Sequence, residues 1–290
     1  MLERVAGAPI SWGVCEAPGW GVQLPPERVL AEMRELGLAA TELGPEGYLS
    51  AAPAAIPALL ERYGLRAVGG FVPVVLHREL DEAAVERSAA ALAAAGAGTF
   101  VLAADTGTAG YDQPGELDDR QWAALLANLD RVAARCLDHG LELVVHPHVG
   151  TVIERRAEVE RLLADSEVAL CLDTGHLMIG GTDPVELARA APERVRHVHL
   201  KDVDGAVAKQ AADGGVGYAE AVRAGLYRPL GHGDLEVAAV VDALESAGYH
   251  GWYVLEQDVT LDREPTPGAG PVEDVRASLD TLRSLAGRVG

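Results

Sequence analysis

VALCLDTGHLMIGGTDPVELARAAPERVRHVHL, residues 168–200, holds an apolar β-like run ending in Asp173, a helical stretch near 184–190, and a second β-like run that carries His199. Apolar run, amphipathic stretch, apolar run is the pattern of two parallel strands joined by a helix, with both strands buried on both faces. The same pattern extends in both directions along the chain. Strands are predicted near 7–12, 39–43, 67–72, 99–104, 141–146, 168–173, 195–200 and 251–256. Helices are predicted near 26–36, 53–63, 80–95, 117–138, 155–165, 184–190, 236–247 and 272–286. Eight such units in 290 residues predict an α/β fold, a single (β/α)₈ TIM barrel spanning 1–290 as one domain. A doubly wound open sheet is the structural rival, but no GxGxxG follows the first strand to support a dinucleotide site.

Four of the apolar runs carry a potential metal ligand at their ends: LELVVH (141–146), VALCLD (168–173), VRHVHL (195–200) and WYVLE (252–256). The residues are His146, Asp173, His199 and Glu256. Any one of them could simply cap a turn. Four on successive parallel strands of a closed barrel converge on one mouth, where barrel enzymes build their chemistry. Two imidazoles and two carboxylates are a borderline-hard set, suited to Mn²⁺, Co²⁺, Zn²⁺ or Fe²⁺ more than to Ca²⁺ or a thiolate metal. The least regular segment, 203–234, is expected to be a long loop on the same side, over that mouth, and 259–270 lies there too.

With 49% hydrophobic and 23% charged residues the composition is that of a soluble globular protein. A net charge of −20 argues against a nucleic-acid partner, which would need a basic stripe. The start MLERVAGAPISWG lacks the basic and apolar regions of a signal peptide, and no run is long enough for a membrane span, so a cytoplasmic location is expected. Cys15, Cys136 and Cys171 have no metal-knuckle spacing and are read as reduced. A homo-oligomer is compatible with all of this.

HPHVGT (146–151), LDTGH (172–176), RHVHLKD (196–202), RPLGHGD (228–234) and YVLEQD (253–258), in this order, resemble the sugar-phosphate isomerase/epimerase superfamily of xylose isomerase-like barrels. With APISWG (8–13) and TELGPEGYL (41–49) the chain looks most like the inosose dehydratase branch. The resemblance implies a divalent metal, Mn²⁺ or Co²⁺ first, held by Asp173, His199 and Glu256. His146 stands where relatives of other activities carry a glutamate. It also implies a lyase dehydrating a cyclic polyol ketone of the 2-keto-myo-inositol type in inositol catabolism. The alternative is an isomerase or epimerase of ketoses or hydroxypyruvate at the same metal site.

An epimerase wants two bases flanking one carbon, and a metal-bound imidazole has no lone pair left to be the second. A dehydration needs one base and one acid. Glu256 is the expected base, with Lys201 or His176 as acid. A polyol or sugar substrate is expected to meet Trp12, read as ending the first strand, and also Glu42, His148 and Arg228. A multi-metal nuclease is disfavoured by the charge, and a non-catalytic sugar-binding barrel by the four retained ligand-type residues.

Overall fold

The computed structural model describes residues 1–108, 110–112 and 115–287. Eight parallel strands follow one another around a ring: β1 (Val5–Gly7), β2 (Ala40–Thr41), β3 (Arg66–Ala67 and Gly69–Val74), β4 (Thr99–Ala104), β5 (Glu142–Val145), β6 (Ala169–Asp173), β7 (Val195–Leu200) and β8 (Trp252–Leu255). Each pairs with the next, and β8 pairs with β1. The ring closes through β3, whose first part pairs with β2 and whose second pairs with β4. Only Val68 separates the two parts, and its N–H still donates to the Thr41 carbonyl at 3.0 Å. The expected barrel is therefore present.

Side-chain alternation along the strands divides the core in two. Phe100, Leu102, Leu143, Val145, Leu170, Leu172, Val198 and Leu200 pack outward in the main core, among the surrounding helices. The alternate positions point into the barrel and are small: Ala6, Ala40, Val68 and Val254 in one cluster, Val101, Val144 and Cys171 in another. Because the period is two, the next inward position is two residues further on. That position is Glu42 above Ala40, His146 above Val144, Asp173 above Cys171, and Glu256 above Val254. The small interior leaves room for the polar layer above it.

The helices form where their sequences favour them. In α4 (Asp119–Asp138) the buried stripe Trp122, Leu125, Leu129, Val132 and Cys136 recurs every three or four residues, and Asp118 opens the helix with a capping box to Gln121. The others are α1 (Pro26–Leu36), α2 (Ile56–Glu61), α3 (Glu82–Ala94), α5 (Arg156–Asp165), α7 (Pro184–Ala190), α10 (Val237–Ser246) and α11 (Pro271–Ala286), all within the predicted segments to a residue or two except α2, which follows a 3₁₀ turn at Pro53–Ala55. No helix among the described residues is long and apolar enough to cross a membrane.

Two expectations need correction, and one helix is additional to those expected. The first strand is not 7–12 but Val5–Gly7, because Pro9 offers no ladder donor and starts a 3₁₀ turn, Pro9–Trp12. Segment 203–234, expected as a long loop, is largely regular. It contains α8 (Gly205–Ala212) and α9 (Tyr218–Arg223), and its ends are tied by an antiparallel pair, Asp202–Val203 with Tyr227–Arg228. A further short helix, α6 (Thr174–Ile179), follows β6 directly.

Candidate metal centre and substrate cavity

Asp173 serves as both turn cap and cluster member, one oxygen for each. Its Oδ1 accepts from the N–H groups of Gly175 and His176 at 2.9 and 2.8 Å, starting α6. Its Oδ2 points into the barrel mouth, 3.3 Å from His146 Nε2 and 3.5 Å from His199 Nδ1. Glu256 Oε2 lies 3.1 Å from the same His199 nitrogen. His146 Nε2, Asp173 Oδ2 and His199 Nδ1 are buried and have no hydrogen-bond partner among the described residues. Buried polar atoms are rarely left without a hydrogen bond, and these three have only ion-pair contacts, with one another and with Glu256 and, for Asp173 Oδ2, with Lys201 Nζ at 3.3 Å, so a shared cation would satisfy them together. The donor types, two imidazole nitrogens and two carboxylates, fit a divalent cation.

The electrostatics agree with that fit. Burial alone would raise the Glu256 carboxyl, but His199 and Lys201 outweigh it and bring it to about 2. Burial would likewise raise Asp173, and Lys201 holds it well below the usual carboxylate range. His199 is held far above an ordinary imidazole: burial opposes this, and Cys171, Glu256 and Glu42 prevail. A field that draws a proton to His199 also draws a cation.

Lys201 follows β7 and is buried beneath the mouth. Its Nζ lies 2.8 Å from Glu256 Oε1 and 3.3 Å from Asp173 Oδ2, and it donates to Asp258 Oδ1 at 2.6 Å and His176 Nε2 at 3.0 Å. Burial would strip its proton, but Asp173, Asp258 and Glu256 keep it a cation. His176 is correspondingly neutral, lowered by burial first and then by His148 and Lys201. Asp258 is tied in turn to the Tyr218 hydroxyl at 2.6 Å, which meets the Tyr227 hydroxyl at 2.8 Å. Asp258, Tyr218 and Tyr227 were not singled out from sequence. Asp258 had a signal, since it stands two residues beyond Glu256; the tyrosines lie in a segment without periodicity.

A cavity of about 420 Å³ opens above this layer, with Glu42, His148, Tyr218, Glu256 and Asp258 among its polar lining and Trp20, Phe71 and Tyr111 among its aromatic walls. Glu256 is 8% exposed, whereas His146, Asp173 and His199 are wholly buried. It is thus the one of the four through which the cavity reaches the cluster. His148 donates through Nδ1 to the Val149 carbonyl at 2.7 Å and packs at a tilt against His176, with ring centroids 3.8 Å apart. Burial, His146 and Lys201 lower it to about 3, so it is neutral and its Nε2 is an acceptor.

The remaining expected substrate contacts fare differently. Glu42 lines the cavity, but its Oε1 is occupied by His197 Nε2 at 2.8 Å and His199 Nε2 at 2.9 Å. Trp12 is misassigned as a substrate contact. It is 0% exposed, sits in the main core and donates its indole N–H to Glu32 of α1 at 2.8 Å. The shortened first strand explains the error, and Trp20 takes the place in the cavity wall. Arg228 is also misassigned: the antiparallel pair turns it outward, where it meets Asp204 at 3.1 Å near solvent. Arg228→Ala is therefore expected to leave kcat and KM within about twofold of the parent, as an exposed ion pair contributes little; a tenfold rise in KM would restore its place at the substrate.

A sequence model of the xylose isomerase-like TIM barrel matches residues 30–285. The chain belongs to that family. As a xylose isomerase-like barrel it is 32% identical to the rhizopine catabolism protein MocC of Rhizobium meliloti, over 100% of this chain and 90% of that protein. It is also 32% identical to inosose dehydratase of Geobacillus kaustophilus, over 88% of this chain and 87% of that protein. The solved structure of the IOLI protein, which holds a zinc atom, shares the fold with a TM-score of 0.67 at 12% identity, covering 98% of each chain.

Proposed function

We propose that this barrel is a divalent-metal-dependent lyase that dehydrates a cyclic polyol ketone of the 2-keto-myo-inositol type in inositol catabolism, with Mn²⁺ or Co²⁺ as its metal. The observation that carries the reading is the convergence of three orphaned buried donors, His146 Nε2, Asp173 Oδ2 and His199 Nδ1, beside a cavity-facing Glu256 and a buried ammonium. The inosose dehydratase relative, matched over most of both chains, supports the substrate class.

His146, Asp173, His199 and Glu256 would hold the metal, and a divalent ion there supplies Lewis acidity that acidifies the C–H beside a ketone. Glu256, ionised at neutral pH and facing the cavity, takes that proton. Lys201, which carries its proton between Glu256, Asp258 and His176, delivers one to the hydroxyl leaving the neighbouring carbon, so that the elements of water are lost. His176 accepts from Lys201 and orients it. His148 Nε2 and the Tyr218 side of the cavity orient ring hydroxyls. An epimerase would need a second base across the ring, and at the position of the fifth strand this chain has an imidazole whose Nε2 is directed at the cluster.

The test is an anaerobic assay of metal-depleted protein with 2-keto-myo-inositol, with Mn²⁺ or Co²⁺ added back, following the ultraviolet absorbance of the dione product. Turnover is expected only with metal. Stoichiometric metal without turnover would remove the inosose assignment in favour of ketoses or hydroxypyruvate.

A further inference from the structure

Glu42 reaches the barrel axis from the end of β2, opposite two histidines of β7 that share one face because they are two residues apart. A single oxygen, Glu42 Oε1, takes both Nε2 groups, His197 at 2.8 Å and His199 at 2.9 Å, with all three residues buried. An acceptor-only carboxylate oxygen requires each of these nitrogens to be the donor. In a neutral His199 that leaves the lone pair on Nδ1, the atom directed at Asp173 Oδ2 and Glu256 Oε2. His197 Nδ1 has no partner among the described residues, so Glu42 is the one group its imidazole holds through a ring nitrogen.

We infer that Glu42 and His197 are positioning residues for the metal rather than substrate contacts: Glu42 sets the tautomer and ring orientation of His199, and His197 holds Glu42 in register. A carboxylate behind a ligating imidazole raises the basicity of the ligand and prevents its rotation, and losing such a partner weakens metal binding by about 10–100-fold. This inference rests on the metal reading above.

The experiment is calorimetric titration of metal-depleted parent, Glu42→Gln, His197→Leu and His197→Gln with Mn²⁺ and Co²⁺, together with the visible spectrum of the Co²⁺ forms and the melting temperature of each metal-free protein. Glu42→Gln is expected to raise the metal Kd by about 10–100-fold and to shift the Co²⁺ bands. His197→Leu should weaken binding in the same direction, and His197→Gln, which keeps an N–H donor towards Glu42, should recover most of it. That pair carries the test even if Glu42→Gln folds poorly, since both lose the imidazole and only one loses the donor. A Glu42→Gln protein that binds metal within twofold of the parent while its KM for the ketone rises would overturn the inference and return Glu42 to the substrate. Equal binding by His197→Leu and His197→Gln would overturn the part given to His197. A parent chain that takes up no stoichiometric metal would remove the metal reading, a failure distinct from either of these.

Discussion

Glu256→Gln, loaded with saturating Mn²⁺, is expected to lose about 10²–10⁴-fold in kcat, the range for removing a positioned general base. Gln keeps the volume and one oxygen, but it can neither take a proton nor offset the charge of the Lys201 ammonium beside it. In the metal-free protein His199 and Lys201 together hold the Glu256 carboxyl at about 2 against the opposing effect of burial. With the Lys201 ammonium 2.8 Å away and a divalent cation bound beside it, the carboxylate stays ionised at neutral pH, and its weakness as a base has to be met by the acidity of the substrate C–H. Three other donors remain for the metal, so occupancy at saturation should persist while turnover falls. This separates the base role from the ligand role. Full activity together with full metal occupancy in Glu256→Gln would remove both.

What could be read from the sequence was what repeats. Strand ends spaced by the βα unit, and side chains alternating with period two, bring His146, Asp173 and Glu256 to one layer whatever the loops do. The helix stripe of α4 was legible for the same reason. Pro9 broke this logic: the apolar appearance of 7–12 concealed a residue that cannot donate to a ladder, and Trp12 was carried into the cavity by a strand that ends at Gly7. Segment 203–234 failed in the opposite direction. Its glycines and acidic residues looked irregular, yet AVAKQAA is helix-favouring, and Tyr218 of α9 gains its place only by contacts with Asp258, 40 residues away, and with Asp112 of another mouth loop. Such non-local contacts leave no periodic trace. The partnership of Glu42 with His197 was half visible, since HVH at 197–199 puts both rings on one face, but the carboxylate facing them lies 155 residues earlier.

Lys201→Met should have the largest effect on the metal-free protein. The side chain is fully buried, and its ammonium is the cation closest to three carboxylates, Asp258 at 2.6 Å, Glu256 at 2.8 Å and Asp173 at 3.3 Å. Methionine fills similar space and removes the charge, leaving those carboxylates to repel one another without water. Removing one partner from a buried ion pair costs about 3–5 kcal/mol. At roughly 2–4 °C per kcal/mol for a chain of this size, the metal-free variant should melt about 10 °C below the parent.

Divalent metal should restore part of that loss, and by more than it stabilises the parent. The ammonium that repels an incoming cation is gone, while the carboxylates that attract one remain. Turnover should not return with the metal, because the proton for the departing hydroxyl went with Lys201. Melting curves with and without Mn²⁺, set beside the assay, check the two halves separately. A metal-free melting temperature equal to the parent's would show that Lys201 does not balance the cluster. Turnover within tenfold of the parent in the metal-loaded variant would pass the acid role to His176.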